Sequence, residues 1–335
     1  MHPVALPRIL LISLGGTITM TSGDAGGIVP SLSAADLVTS VPGIGAIAEL
    51  ETLSPRPLPS ASLRLDDLLE LARTLNRRLA DDIDGAVVIQ GTDTIEESAF
   101  VLDLLIASEK PVVVTGAMRG PQTAGADGPA NLLAATTVAA APSAAGLGTL
   151  VCLNDQVHAA RFVQKSHTAL PSAFSSPLAG PLGLVIEGRP VFHVRPARAP
   201  TLEVPTAGAQ APVALLKMAL GDDGRMLKVL PELGYQGCVL EGMGAGHVPA
   251  AVAPLVGELA AQMPVVLSVR VHSGPTFAHT YGFPGSEIDL LSRGVLSAGS
   301  LGGLKARLLL GLLLRLGLSG QTLESRFRQY VDACS

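Results

Sequence analysis

Aromatic side chains are scarce in this chain: they make up 3% of its 335 residues, and none is tryptophan. So few rings leave little with which to build the stacking platforms that read bases or sugars. Cysteine is nearly absent as well. Cys152, Cys238 and Cys334 are the only three, and no two stand in a C-x-x-C pair. That excludes a disulfide framework and fits a reducing compartment. Cys152 and Cys238 fall inside apolar runs, where a free thiol behaves as a small core hydrophobe. Charge of one sign is not concentrated anywhere. The formal net charge of −5 is spread without long acidic or basic runs, so the footprint of a nucleic-acid binder is missing. Long apolar stretches are missing too. The most leucine-rich one, Leu308 to Leu314, is bounded by Arg307 and Arg315 and falls far short of the roughly 20 residues that span a bilayer. The start, Met1-His2-Pro3-Val4, has no charged n-region, and the apolar run after it ends in Gly15-Gly16. We therefore expect no secretory signal and a cytoplasmic protein. The seven histidines (His2, His158, His167, His193, His247, His272 and His279) show no paired-ligand spacing with acids, so neither metal nor cofactor is expected.

What is present is apolar residue in quantity, 48% of the chain, and it comes in short β-branched runs. Strands are predicted at 8–14, 85–90, 111–115, 148–153, 237–241 and 264–269. Helical periodicity marks 66–80, 95–107 and 304–316, and 129–141 is alanine-rich and helix-permissive. Strand and helix in alternation predict an α/β fold with a mainly parallel sheet. Between Arg195 and Pro212 the pattern breaks at Pro196, Pro200, Pro205 and Pro212, as in a semi-rigid linker. The expected organisation is a larger doubly wound N-terminal domain over 1–195, a linker over 196–212, and a smaller α/β domain with a parallel sheet over 213–335.

Two predicted strands end in the same kind of turn. Arg8–Ser13 runs into Leu14-Gly15-Gly16-Thr17-Ile18, and Gly85–Ile89 into Gln90-Gly91-Thr92-Asp93-Thr94. Glycine lets backbone approach a ligand closely, and ligands bind outside the C-terminal ends of parallel strands. Two hydroxyls are thus placed to converge on one small molecule. In the second turn Thr94 and Glu97 have the spacing of a capping box, and Ile95, Ala99, Leu102 and Ile106 share one helix face. The helix start so defined points at the turn and favours an anion. Thr17 and Thr92 are candidate nucleophiles, weak until a base takes the proton. Lys165, in Val163-Gln164-Lys165-Ser166-His167-Thr168, is a candidate base, provided burial or neighbours let it act near neutrality. Asp93 would orient a partner or bind a substrate ammonium. Singly, each residue reads equally well as a cap, a turn residue or a surface charge.

The longer strings narrow this. Leu11-Ile12-Ser13-Leu14-Gly15-Gly16-Thr17-Ile18 resembles the first signature of bacterial L-asparaginases, and Gln90-Gly91-Thr92-Asp93-Thr94-Ile95-Glu96-Glu97-Ser98-Ala99 the second. Gly116-Ala117-Met118-Arg119, Ala126-Asp127-Gly128-Pro129-Ala130-Asn131-Leu132, Gly180-Pro181-Leu182-Gly183 and Lys305-Ala306-Arg307-Leu308 follow in that family's order. The resemblance implies hydrolysis of the side-chain amide of L-asparagine by double displacement. It makes Thr17 the acylated nucleophile and Thr92, Asp93 and Lys165 a second triad. Backbone near Gly16 and Thr92 would supply oxyanion donors, Ser60 would grip the α-carboxylate, and Asp93 the α-ammonium. It also implies a homotetramer, a dimer of dimers, in which Glu287 of a neighbouring subunit is the second ammonium ligand.

The chain departs from the family pattern in three places. The loop Met20–Ile28 carries no tyrosine. Tyr281, six residues before Glu287, is then either a replacement hydroxyl in the neighbour's site or a packing residue. The glutamine after the carboxylate-binding serine is Ala61, and the asparagine of the Gly244-Ala245-Gly246 turn is His247. His247 is either a pH-sensitive contact beside a carboxylate or an exposed loop residue. The alternatives to asparagine hydrolysis are a binder of asparagine or aspartate without turnover, and an amidase preferring glutamine or another small amide. A dinucleotide-binding loop is excluded because no G-x-G-x-x-G follows the first strand.

Overall fold

The computed structural model describes residues 5–22, 28–30, 32–55 and 57–334; the first four residues and most of the loop lacking tyrosine lie outside them. The chain divides into two compact units, Met1–Val204 and Pro205–Ser335. The stretch expected as a linker is bonded to the first unit over part of its length. Leu202 N–H donates to Leu104 O at 2.7 Å, and Arg198 donates to the carbonyls of Ile106 and Ser108.

In the larger unit the first strands are β1 (Arg8–Ser13), the pair β2 (Met20–Ser22) and β3 (Ile28–Pro30), and β4 (Glu49–Leu53). Then come β5 (Gly85–Ile89), β6 (Val112–Thr115), β7 (Thr149–Leu153), β8 (Gln156–Ala159), β9 (Gln164–Lys165), β10 (Phe174–Ser175), β11 (Gly183–Ile186) and β12 (Arg189–Phe192). Eight of these form one sheet in the order β12-β11-β8-β7-β6-β5-β1-β4. Pairing is parallel from β4 through β7 and antiparallel from β7 to β12. The mixed, mainly parallel sheet is thus as expected. Strands β1, β5, β6 and β7 are apolar without alternation because the sheet is covered on both faces. Ile9, Leu11, Val87, Ile89, Val113 and Leu150 pack with Leu132, Ala135 and Val138 of a helix over Gly128–Ala139. The helices are α1 (Ala34–Ser40), α2 (Leu65–Asp81), α3 (Ile95–Leu105) and α4 (Gly128–Ala139), each within a few residues of its predicted range where one was predicted. In α3 the expected face of Ile95, Ala99 and Leu102 is buried, but Phe100, Val101 and Leu104 are buried too, so this helix is enclosed rather than one-sided.

The smaller unit holds β13 (Val213–Lys217), β14 (Gly237–Gly242), β15 (Val265–Val269) and β16 (Leu296–Ser297) in one parallel sheet, in that order. Its helices are α5 (Arg225–Val229), α6 (Ala253–Ala260), α7 (Glu287–Ser292), α8 (Gly303–Arg315) and α9 (Gly320–Ala333). The leucine run lies in α8, where Leu309, Leu310, Leu312 and Leu313 are fully buried beside the sheet. Among the described residues no helix is long and apolar enough to cross a membrane. All three cysteines are buried and free, and burial pushes the Cys238 thiol up to about 12.

One buried histidine links this core to acid stability. His158, on β8, is 1% exposed. Its Nδ1 hydrogen-bonds Ser176 Oγ at 2.9 Å, while Nε2 has no partner among the described residues. Burial pushes its pKa down from 6.5 to about 4. Below pH 6.5 the unfolded chain therefore takes up a proton that the folded chain refuses, and stability falls with pH until about 4. The span is worth about 3 kcal/mol at most. We expect denaturant midpoints to decline over this window, and His158→Gln to flatten the decline. Equal slopes in variant and wild type would remove His158 as the cause.

Candidate active site

The two glycine–threonine turns stand side by side because β1 and β5 are neighbouring parallel strands, with Ser13 opposite Ile89. Leu14 N–H donates to Ile89 O and Leu58 N–H to Leu14 O, both at 2.8 Å, so a third segment, 58–60, closes onto them. Gly16 has φ +99°, and a Cβ there would overlap the Gly91 nitrogen and Cα. A Cβ on Gly91 would lie 2.6 Å from Ser60 Oγ. Glycine at both positions is a packing requirement: at Gly16 backbone meets backbone, and at Gly91 the Ser60 side chain fills the space a Cβ would need.

Ser60 is 3% exposed. Its Oγ accepts from Asp93 N–H at 3.3 Å, and its carbonyl accepts from Thr94 Oγ1 at 3.1 Å. The Ser60 hydroxyl proton has no acceptor among the described residues and so remains available to a carboxylate. The expected capping box fails here. Thr94 makes no side-chain cap bond because its hydroxyl is spent on Ser60, tying the second turn to the third segment. Gln90, fully buried, donates Nε2 to Thr94 Oγ1 at 3.2 Å from below.

Lys165 reaches the second turn across 73 residues of sequence. Its Nζ lies 2.9 Å from Thr92 Oγ1 and 2.8 Å from Asp93 Oδ1. Thr92 is 6% exposed, the Lys165 side chain 17% and that of Asp93 66%. The amine is thus enclosed with a hydroxyl on one side and a solvated carboxylate on the other, the geometry a nucleophile or water-activating relay needs. Thr17 opens a 3-10 turn, Thr17–Thr19, that is pinned by Thr19 Oγ1 donating to Gly16 O at 2.8 Å. The Thr17 hydroxyl has no partner among the described residues. The backbone N–H groups of Thr17 and Thr92 likewise meet no acceptor among them.

Glu287, His247 and Tyr281 form a separate cluster in the smaller unit. Glu287 starts α7 and is fully buried. Its Oε1 accepts from Thr280 N–H at 2.9 Å and Tyr281 N–H at 2.7 Å, and its Oε2 lies 3.2 Å from His247 Nε2. Burial opposes ionisation, but those hydrogen bonds together outweigh it and hold the carboxyl below its usual range. The His247 ring meets Tyr281 edge-on at 4.9 Å between centroids and Phe283 at 5.1 Å. Within one chain the Glu287 carboxylate is thus held by the backbone of Thr280 and Tyr281 and by His247. The group facing outward is Tyr281, 41% exposed.

Sequence reading missed Glu96, whose Oε2 accepts the Lys165 backbone N–H at 3.1 Å. The available signal was an acid in the first turn of a helix, a place explained well enough by the helix dipole. Among the described residues no three His, Cys, Asp or Glu side chains gather as a metal site would require.

Comparison with known proteins decides the family. The family model "Asparaginase, N-terminal" matches residues 8–198, and "Glutaminase/Asparaginase C-terminal domain" matches 212–327. The chain belongs to the asparaginase family. It is 36% identical over 334 residues to a probable L-asparaginase of Deinococcus radiodurans, covering 98% of this chain and 99% of that one. It is 33% identical over 279 residues to a glutaminase-asparaginase of Pseudomonas aeruginosa, covering 80% and 77%. The crystal structure of a probable cytoplasmic L-asparaginase from Campylobacter jejuni superposes with a TM-score of 0.85 at 32% identity, covering 97% of this chain and 99% of that one. This asparaginase-family chain is accordingly an amidohydrolase of the L-asparaginase type.

Proposed function

We propose that the chain hydrolyses L-asparagine to L-aspartate and ammonia through an acyl-enzyme on Thr17. The observation that carries this reading is Lys165 Nζ set between Thr92 Oγ1 and Asp93 Oδ1, beside a second turn that abuts the first. The Thr17 hydroxyl attacks the carboxamide carbon, and its proton passes to the departing nitrogen, which leaves as ammonia. Water then attacks the ester, giving aspartate and restoring the threonine. Lys165, through Thr92, carries the proton removed from the attacking group. The unoccupied N–H groups of Thr17 and Thr92 suit the tetrahedral oxyanion, a role worth about 3 kcal/mol per donor. Ser60 donates to the α-carboxylate, and Asp93, exposed enough to meet substrate, takes the α-ammonium. No cofactor enters the scheme.

A second copy of the chain is proposed to complete each site with its Glu287–His247–Tyr281 cluster, in a dimer of dimers. In it Glu287 is the second ammonium ligand, its intrachain bonds leaving acceptor capacity on the carboxylate, and Tyr281 supplies the hydroxyl missing from the first loop. We place the protein in the cytoplasm, where three buried free thiols are at home.

The test is ammonia release from asparagine and glutamine by wild type, Thr17→Ala and Thr92→Ala. Each variant should lose at least about 10²-fold in kcat, and only wild type and Thr92→Ala should retain the residue that becomes acylated. Selectivity between the two amides rests on one methylene, about 1–3 kcal/mol. No turnover of either amide by wild type would favour a binding protein. Full activity in both variants would end the assignment of the threonines.

A further inference from the structure

We propose that Glu96 is a positioning residue that holds Lys165 in register with Thr92; the inference rests on the role given to Lys165 above. Lys165 stands on a short framework outside the main sheet. It belongs to β9, which pairs with β10 over only two residues, Lys165 opposite Phe174 and Gln164 opposite Ser175, outside the eight-stranded sheet. A two-stranded ribbon is marginal by itself, and a proton-transfer group displaced by about 1 Å can lose on the order of 10²-fold in rate. Buried Val163, Ala173 and Phe174 and the Ser166 N–H to Ala173 O bond seat the ribbon, but Asp93, 66% exposed at its side chain, is poorly suited to fix Lys165 within it alone.

Glu96 is suited. It lies in the first turn of α3, whose Ile95, Ser98, Ala99 and Phe100 are essentially inaccessible, so the helix cannot shift without opening the core. From that base its Oε2 accepts the Lys165 backbone N–H at 3.1 Å. A hydrogen bond with a charged acceptor is about twice as strong as a neutral one. Thr92 and Asp93 hold the amine of Lys165 while Glu96, three residues further on, holds its backbone. One short stretch, Thr92 to Glu96, therefore grips Lys165 at both ends, and the turn and its base move as one body. Glu96 touches no substrate in this scheme; its effect passes entirely through Lys165.

The experiment compares wild type, Glu96→Ala, Glu96→Asp, Glu96→Gln, Lys165→Ala and the Glu96→Ala/Lys165→Ala double variant. Thermal melting and circular dichroism establish which of them are folded. Two readouts follow: hydrogen exchange at the Lys165 amide, and steady-state asparagine hydrolysis. In Glu96→Ala the Lys165 amide should exchange at least about tenfold faster, and kcat should fall about 10–100-fold with KM changed less than about threefold. Glu96→Asp keeps the charge but loses the reach of one methylene and should resemble Glu96→Ala, remaining informative if the alanine variant does not fold. Glu96→Gln keeps an acceptor oxygen at the right distance and should recover kcat to within about fivefold of wild type. The double variant should be no slower than Lys165→Ala, as expected for residues acting in series. Unchanged amide exchange, wild-type kcat in Glu96→Asp, or a glutamine variant as slow as alanine would each overturn the proposal. A wild-type protein that does not turn over asparagine would instead remove the functional reading, while amide exchange still decides whether Glu96 fixes the ribbon.

Discussion

Lys165→Ala should lower kcat for asparagine by about 10²–10⁴-fold, the range lost with a positioned proton-transfer group, while the protein remains folded. The fold should survive because Lys165 closes no core. Its two-residue strand lies outside the main sheet, and the Asp93 carboxylate left behind is mostly exposed and can be rehydrated. The hydroxyl of Thr92, 6% exposed, loses one partner, a cost of about 1 kcal/mol. Lys165→Arg should not rescue activity, since a planar guanidinium is larger than an ammonium and cannot place a single nitrogen within 2.9 Å of both Oγ1 and Oδ1 as Lys165 does. Pre-steady-state ammonia release adds which step the lysine serves. One equivalent of ammonia followed by arrest would mean that Thr17 is acylated without help and that Lys165 activates the water. No burst would mean that it activates Thr17. A kcat within a few-fold of wild type would show that the Thr92–Asp93–Lys165 arrangement is structural.

Gly16→Ala should abolish activity and destabilise the larger unit, although it adds a single methyl group. At φ +99° and ψ 177° Gly16 lies in a region that is essentially glycine's alone, where a side chain costs about 1–3 kcal/mol. Collision costs more: the methyl would fall onto the nitrogen and Cα of Gly91, which is rigid backbone. The turns would have to separate, moving Thr17 away from Thr92, and a displacement of about 1 Å alone costs on the order of 10²-fold. Gly43→Ala is the control. Gly43 has φ +81° with nothing within 4 Å of a Cβ, so it should lose only what the backbone strain costs. Comparing the denaturation midpoints and asparagine turnover of the two variants sets the loss at Gly16 against that of an uncrowded positive-φ glycine in the left-handed region. Equal behaviour would mean that the contact between the turns tolerates movement and that the site is less tightly built than these distances indicate.

Much of the architecture was legible from local pattern. β1, β5, β6 and β7 are near-continuous apolar runs, and that pattern has few explanations besides parallel strands covered on both faces. The helices α2, α3 and α8 were visible because a helical periodicity of about 3.6 residues is written along the chain itself, and α4 because its stretch is alanine-rich and helix-permissive. The antiparallel edge of β8, β11 and β12 was not. Its strands are four residues each, and β12 carries Pro190, which reads as a break although an edge strand tolerates it.

At the site the division is sharper. The sequence by itself determined that two glycine–threonine turns each follow a buried strand, because both the turn chemistry and the strand pattern are local; that the two strands are neighbours came from the tertiary structure. It marked Lys165 as a candidate base, but only the family resemblance joined it to Thr92 and Asp93, for nothing in Gln164-Lys165-Ser166 announces a partner 73 residues away. Tertiary structure alone decided that Thr94 bonds to Ser60 instead of capping its helix, that Glu287 turns inward to its own backbone, and that Glu96 takes the amide of Lys165. Each of these is a choice of one hydrogen-bond acceptor among several of similar strength. Such choices follow distance, and distance between remote segments exists only once the core has closed.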